Sequence, residues 1–81
     1  MKIDLTVKAS KIYKKLPVDI KKSLKKQILI LEKNIRHPSL HAKKYNEAED
    51  LWQARINNDW RFYFVIRKDT IILLYIKKHP K

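Results

Sequence analysis

Arg55, Arg61 and His79 are the residues best suited to chemistry on a phosphate. Guanidinium groups match phosphate oxygens in bidentate geometry, and an imidazole moves protons near neutral pH. Together they fit metal-free RNA cleavage, in which a 2′-hydroxyl attacks the adjacent phosphate. That reaction needs a proton acceptor, cations on the phosphorane oxygens and a proton donor for the leaving oxygen. Lys43, Lys44 and Lys77 would add contacts to the RNA backbone, and Tyr63, Tyr75 or Tyr45 could stack on a splayed base. Each also has a plainer alternative: strand packing for Tyr63 and Tyr75, a frayed terminal residue for His79, and loop solvation for Lys43 and Lys44.

Other chemistries find little support. The only histidines are His37, His41 and His79, and Pro38 spoils a helical pairing of the first two. With no cysteine and no carboxylate cluster beside them, neither a metal nor a cofactor is expected. Ser10, Ser23 and Ser39 fall in helix or cap contexts, unlike a nucleophile of a serine triad. The chain has no glycine, so it carries no glycine-rich phosphate loop.

The stretch from Leu51 to Lys81 must position the candidate residues. Trp52, Ala54 and Ile56, then Trp60, Phe62, Phe64 and Ile66, alternate with polar or smaller residues, which is the period of a half-buried strand. A three-residue loop at Asn57, Asn58 and Asp59 sets Trp52 opposite Phe64, Ala54 opposite Phe62 and Arg55 opposite Arg61. Like charges facing each other are destabilising by up to about 1 kcal/mol, which makes sense if an anion sits between them. A second three-residue loop, Arg67 to Asp69, would set Phe64 against Ile72, Phe62 against Leu74, Trp60 against Ile76 and Arg61 against Tyr75. One face is then apolar, and the other carries Arg55, Arg61, Tyr63, Tyr75, Lys77 and His79 as an open cationic surface. On such a surface Arg61 could be replaced without loss of folding. A merely solvated sheet face is the alternative.

Upstream, Ile3, Leu5 and Val7 read as a short strand, Ser10 as an N-cap, and Ile12, Tyr13 and Leu16 as one side of a two-turn helix. Pro17 opens a second helix over about Val18 to Ile35, with Ile20, Leu24, Ile28, Leu31 and Ile35 as its apolar stripe. Lys21, Lys22, Lys25 and Lys26 lie opposite, a solvated face or a phosphate contact. His37-Pro38 stops the helix, and Ser39 to Asp50 reads as a loop. The expected fold is α+β in the order β-α-α-β-β-β, two N-terminal helices packed on one face of a small, mainly antiparallel sheet.

Residues 1–81 make one small domain, able to bury about two thirds of its unfolded surface. A hydrophobic content of 44% supports a core and argues against a disordered basic tail. Twenty Lys and Arg against 8 Asp and Glu give a formal charge of +12, which favours nucleic acid, an anionic membrane or an acidic protein as partner. No apolar run approaches the roughly 20 residues of a membrane span, and MKIDLTVKAS lacks the apolar core of a signal peptide, so a cytoplasmic protein is expected.

The chain resembles the RelE/ParE superfamily of toxins from bacterial toxin–antitoxin pairs. The likeness runs over nearly all of its length in element order and is sharpest at HPSL (His37 to Leu40) and in the segments LWQAR, INNDWRFYF and DTIILLYI. YoeB-like members of the ribosome-dependent ribonuclease branch are similar without gaps around Trp52, Arg55, Ile56 and Arg61. The resemblance implies that Arg61 holds the place of the phosphate-stabilising arginine, Arg55 that of a neighbouring basic residue, and His79 that of a C-terminal catalytic histidine. It implies an mRNA endoribonuclease acting at the ribosome, with an acidic antitoxin as cognate partner and no membrane association. Two alternatives share the fold: a ParE-like DNA gyrase inhibitor, and a degenerate member that only binds RNA or an antitoxin. The sequence departs from the branch where Pro80 follows the histidine and where the upstream glutamate base would fall near Ala42 or Lys43. Lys43 and Lys44 could supply a lysine-based chemistry like that of RelE-like relatives.

Overall fold

The start of the first helix is organised by one hydroxyl. The computed structural model describes residues 2–79. In it β1 (Lys2–Leu5) ends at Thr6, whose extended backbone and side-chain oxygen cap α1 (Val7–Lys15), Oγ1 accepting from Ala9 N at 3.1 Å. This corrects the expected cap at Ser10, which lies inside the helix with its N–H bonded to Thr6 O at 2.9 Å. Val7 prolongs the alternation of Ile3 and Leu5 in sequence only and belongs to the helix.

After Pro17, α2 runs over Val18–Lys33 and buries Ile20, Leu24 and Leu31. It stops short of Ile35 because Asn34 leaves the helical region, and its Oδ1 accepts from Arg36 N at 3.0 Å. Residues 39–50 are not one loop. A 3-10 turn (Pro38–Leu40) precedes a fourth C-terminal-half strand, β2 (Lys43–Asn46). Its sequence KKYN shows no apolar alternation because it is a short edge strand, irregular between Lys44 and Asn46, and lysines there discourage further pairing.

β3 (Leu51–Arg55), β4 (Trp60–Arg67) and β5 (Thr70–Lys78) complete a sheet of five strands in the order β1-β5-β4-β3-β2. β1 is parallel to β5 and the other pairs are antiparallel. The fold is thus α+β, with one more strand than expected. Both helices contribute to one core against the sheet, where Ala9, Leu16, Ile20, Leu24 and Leu31 meet Ala54, Phe62, Phe64, Ile71, Leu73 and Ile76. Phe62 and Phe64 are fully buried, each contributing about 1.5–3 kcal/mol.

The β3–β4 register is the expected one: Trp52 faces Phe64, Ala54 faces Phe62 and Arg55 faces Arg61. Asn57 Oδ1 accepts from Asp59 N at 2.8 Å and Trp60 N at 2.9 Å, which fixes the loop. The β4–β5 register differs from expectation. Arg67 pairs with Thr70, so the loop is Lys68 and Asp69 alone, with Lys68 left-handed at φ 56°. Phe64 pairs with Leu73 and Tyr63 with Tyr75, leaving Leu74 as a bulged residue. Beyond it Phe62 faces Ile76, Arg61 faces Lys77 and Trp60 faces Lys78.

Candidate active site

Cross-strand pairing brings most of the candidate residues onto the sheet face away from the helical core. Arg55, Arg61 and Lys77 lie directly opposite one another on β3, β4 and β5 and form a row of three cations. Two residues along, about 7 Å away, a second row holds Lys43, Gln53, Tyr63 and Tyr75. Lys77 and Lys43 are exposed and Arg55 is half-buried.

Arg61 is not the open-face residue expected from alternation. Only 6% of it is exposed, and Nη1 donates to Asn57 O at 2.8 Å, Trp60 O at 3.1 Å and Asn58 O at 3.3 Å. The short loop turns its carbonyls toward the strand that follows, and the guanidinium satisfies them. Burial, followed by the neighbouring Arg55 charge, lowers the Arg61 pKa from its ordinary value, while Tyr63 and Asp59 oppose that shift. Because Nη1 serves the loop, the other edge of the guanidinium is the part that could meet a phosphate.

His79 reaches the same end of the sheet through its backbone. Its N–H donates to Asp59 O at 2.7 Å, which carries the β5 pairing past Lys78 to the loop that Arg61 braces. The His79 side chain is exposed. Pro80, which follows it, lies outside the described residues.

Buried side chains that alternation missed hold these groups in place. Gln27 Nε2 donates to Arg55 O at 2.9 Å and to Ser39 O at 3.0 Å, tying α2 to the 3-10 turn and to the end of β3. Ser39 Oγ donates back to Gln27 Oε1 at 3.3 Å. The signal was present, since a glutamine stands between Leu24 and Leu31 at a spacing that belongs to the apolar stripe. Gln53, also buried, donates from Nε2 to the Tyr63 hydroxyl at 2.9 Å.

Tyr63 is only 2% exposed, stacked on Tyr75 at 4.5 Å between ring centroids and met edge-on by Tyr45 at 5.2 Å. It therefore cannot offer a ring face to a base, whereas Tyr45, 55% exposed, can. Burial raises the Tyr75 pKa above its ordinary value, with smaller contributions from Tyr63, Tyr45 and Glu49. The Lys8 ammonium lies 5.2 Å from the Tyr75 ring. Leu51, Tyr63 and Val65 form a second buried cluster, so the face expected to be an open cationic surface is cationic at one end and apolar at the other.

Lys44 stands apart from the row. It pairs with Trp52 on the helix side of the sheet, lies 5.5 Å over the Trp52 ring and forms an ion pair with Asp50. Around Ala42 and Lys43, where the sequence departs from the branch it resembles, there is no carboxylate to act as a base. The acidic groups felt on this face are Asp59 near Arg61 and Glu49 near Tyr75. Two surface hollows of about 300 and 250 Å³ lie around the end of α2, lined in part by Ile35, Arg36, Trp52 and Ile66, away from the row. Among the described residues no group of three or more His, Cys, Asp or Glu could hold a metal ion. No helix there is long and apolar enough to cross a membrane.

No protein-family model matches this sequence, and no curated protein matches it. Solved structures do. The YoeB/ParE toxin from Agrobacterium tumefaciens aligns over 99% of this chain and 100% of its own, with a TM-score of 0.82 at 13% identity. The YoeB dimer from Staphylococcus aureus gives a TM-score of 0.82 at 16% identity, over 99% of this chain and 98% of that one. RelE in the archaeal RelE–RelB complex from Pyrococcus horikoshii gives 0.79 at 20% identity, over 95% and 92%. With nearly complete mutual coverage, the chain has the fold of these RelE and YoeB/ParE structures.

Proposed function

We propose that the protein is the toxin of a toxin–antitoxin pair and cleaves mRNA on the ribosome without a metal. The row Arg55–Arg61–Lys77, ending beside His79 on a RelE/YoeB-like fold, carries this reading. The 2′-hydroxyl gives up its proton as it attacks phosphorus, and the departing 5′-oxygen takes one, leaving a cyclic phosphate and a 5′-hydroxyl. Arg55, Arg61 and Lys77 stabilise the charge on the phosphorane oxygens, and His79 moves a proton at that step. Lys43 holds the backbone further along, and Tyr75 or exposed Tyr45 takes a base. Lys44, committed to Asp50 and Trp52, has a structural part in this scheme.

The partner is an acidic antitoxin that covers the row and neutralises it, and complex formation weakens with salt. Several of the structural relatives are toxins in antitoxin complexes, among them RelE–RelB from Pyrococcus horikoshii. Primer-extension mapping of mRNA after induction tests the nuclease reading, with codon-spaced cuts expected. Intact mRNA would overturn it, and DNA damage signalling in its place would point to gyrase. One observation favours a second reading, a protein that only binds RNA or antitoxin: Arg61 is nearly buried and partly spent on the loop carbonyls.

A further inference from the structure

The β5 strand can pair with β4 in two ways that bury the same kinds of side chain. As observed, Ile71, Leu73 and Ile76 enter the core, and Leu74 bulges between Phe64–Leu73 and Tyr63–Tyr75. A bulge-free pairing of Phe64 with Ile72, Phe62 with Leu74 and Trp60 with Ile76 would bury Ile72, Leu74 and Ile76. Each set is two isoleucines and one leucine, so hydrophobic burial hardly separates the registers. The candidate site does separate them. In the bulge-free register Tyr75 faces Arg61, and Lys77 and His79 slide two residues, about 7 Å, past the arginines.

Something outside the hairpin must choose, and one side chain reaches the bulge. Thr6 Oγ1 donates to Leu74 O, the carbonyl of the bulged residue, at 3.0 Å, and Thr6 N donates to Leu73 O at 3.0 Å. The same oxygen accepts from Ala9 N at 3.1 Å and so also starts α1. A bulge leaves one residue outside the ladder, and its carbonyl needs a donor from elsewhere. We propose that Thr6 is a positioning residue for the site: its hydroxyl selects the bulged register and so sets Lys77 and His79 beside Arg55 and Arg61. The catalytic consequence rests on the ribonuclease reading above, whereas the register does not.

The two roles of the hydroxyl can be separated in the full-length protein. Thr6→Ser keeps both the acceptor for Ala9 and the donor for Leu74. Thr6→Asp keeps an N-cap acceptor but has no donor. For Thr6→Asp we expect a melting temperature close to that of the parent and kcat for RNA cleavage at least 10-fold lower. KM should change less than kcat, because Lys43, Tyr45, Arg55 and Arg61 lie off β5 and only Tyr75 and Lys77 move with it. Thr6→Ser should restore kcat to within 2-fold of the parent. NMR contacts between side chains should change from Phe62–Ile76 to Phe62–Leu74 in Thr6→Asp, while Ala54–Phe62 persists. Parental kcat together with intact Phe62–Ile76 contacts in Thr6→Asp would overturn the proposal. Should the parent not cleave RNA at all, the ribonuclease reading fails and the NMR contacts alone decide the role of Thr6. Should Thr6→Asp not fold, a slowly exchanging hydroxyl proton at position 6 close to Leu74 in the parent and in Thr6→Ser supports it, and rapid exchange in both overturns it.

Discussion

The β3–β4 and β4–β5 hairpins share a strand but are specified differently. In the first, the loop carries its own instructions: Asn57 Oδ1 bonds to Asp59 N and Trp60 N, Arg61 bonds to the loop carbonyls, and the strands are regular. In the second, the loop is the pair Lys68 and Asp69, the ladder slips at Leu74, and the contact that meets the slip comes from Thr6, far away in sequence. Local rules fix a register when loop and alternation agree. Where two alternations are equally apolar, a distant contact decides.

The largest effect should fall on what both hairpins share. Phe62→Ala removes a fully buried ring that faces Ala54 on one side and Ile76 on the other, and should cost about 3–5 kcal/mol. A domain of this size has little to spare, so urea melts should find it mostly unfolded. A variant with a normal midpoint would mean that the core does not join the hairpins.

Next comes Arg61→Ala. Cleavage on translating ribosomes should fall by about 100-fold, the scale of one lost electrostatic donor. Contrary to the sequence expectation of intact folding, stability should also drop by about 1–3 kcal/mol, because the loop carbonyls of Asn57 and Asn58 lose their side-chain donor. Arg61→Lys should recover part of the stability but little of the cleavage, since an ammonium cannot reproduce the fork. Full activity in a folded Arg61→Ala protein would remove Arg61 from the chemistry.

Asn57→Ala is a milder break confined to the first hairpin. The loss of two side-chain bonds to the loop should cost about 1 kcal/mol, read as a lower denaturation midpoint, with the β4–β5 contacts unchanged by NMR. Equal disturbance of both hairpins would show that the second depends on the first.

The smallest effect belongs to Tyr75 in the second hairpin. Its folded pKa is raised, chiefly by burial, so the native state holds a proton that the unfolded chain releases near pH 10. The associated stability is complete below that pH and is lost as pH rises through the folded pKa. Tyrosinate absorbance should show a late-titrating component that vanishes in Tyr75→Phe; its persistence would assign it to another tyrosine.

Helical period found α2 and its stripe, and strand alternation found β3, β4 and the Arg55–Arg61 pair, because these are regular elements with one buried face. The residues missed are those whose role depends on a partner far along the chain. Thr6 looks like one more polar residue in an alternating strand, yet it caps a helix and meets the bulge. Gln27 looks like a polar break in a stripe, yet it is buried because Arg55 O and Ser39 O are there to receive it. Alternation also gave Arg61 and Tyr63 the correct side of the sheet but not their burial, since neighbouring rings and loop carbonyls cover that side in place of a helix.

The parallel pairing of β1 with β5 has a consequence in time. Lys2 lies opposite Thr70, and the Thr6 hydroxyl bond to Leu74 spans 68 residues, so one edge of the sheet is written first and its partner last. Closing so long a loop carries an entropic cost before any contact repays it, and such topologies fold more slowly than hairpins. During synthesis the first strand and both helices emerge with no β5 to pack against. The row of cations can assemble only after β5 has left the ribosome, so a nascent chain carries the residues of the site without its geometry.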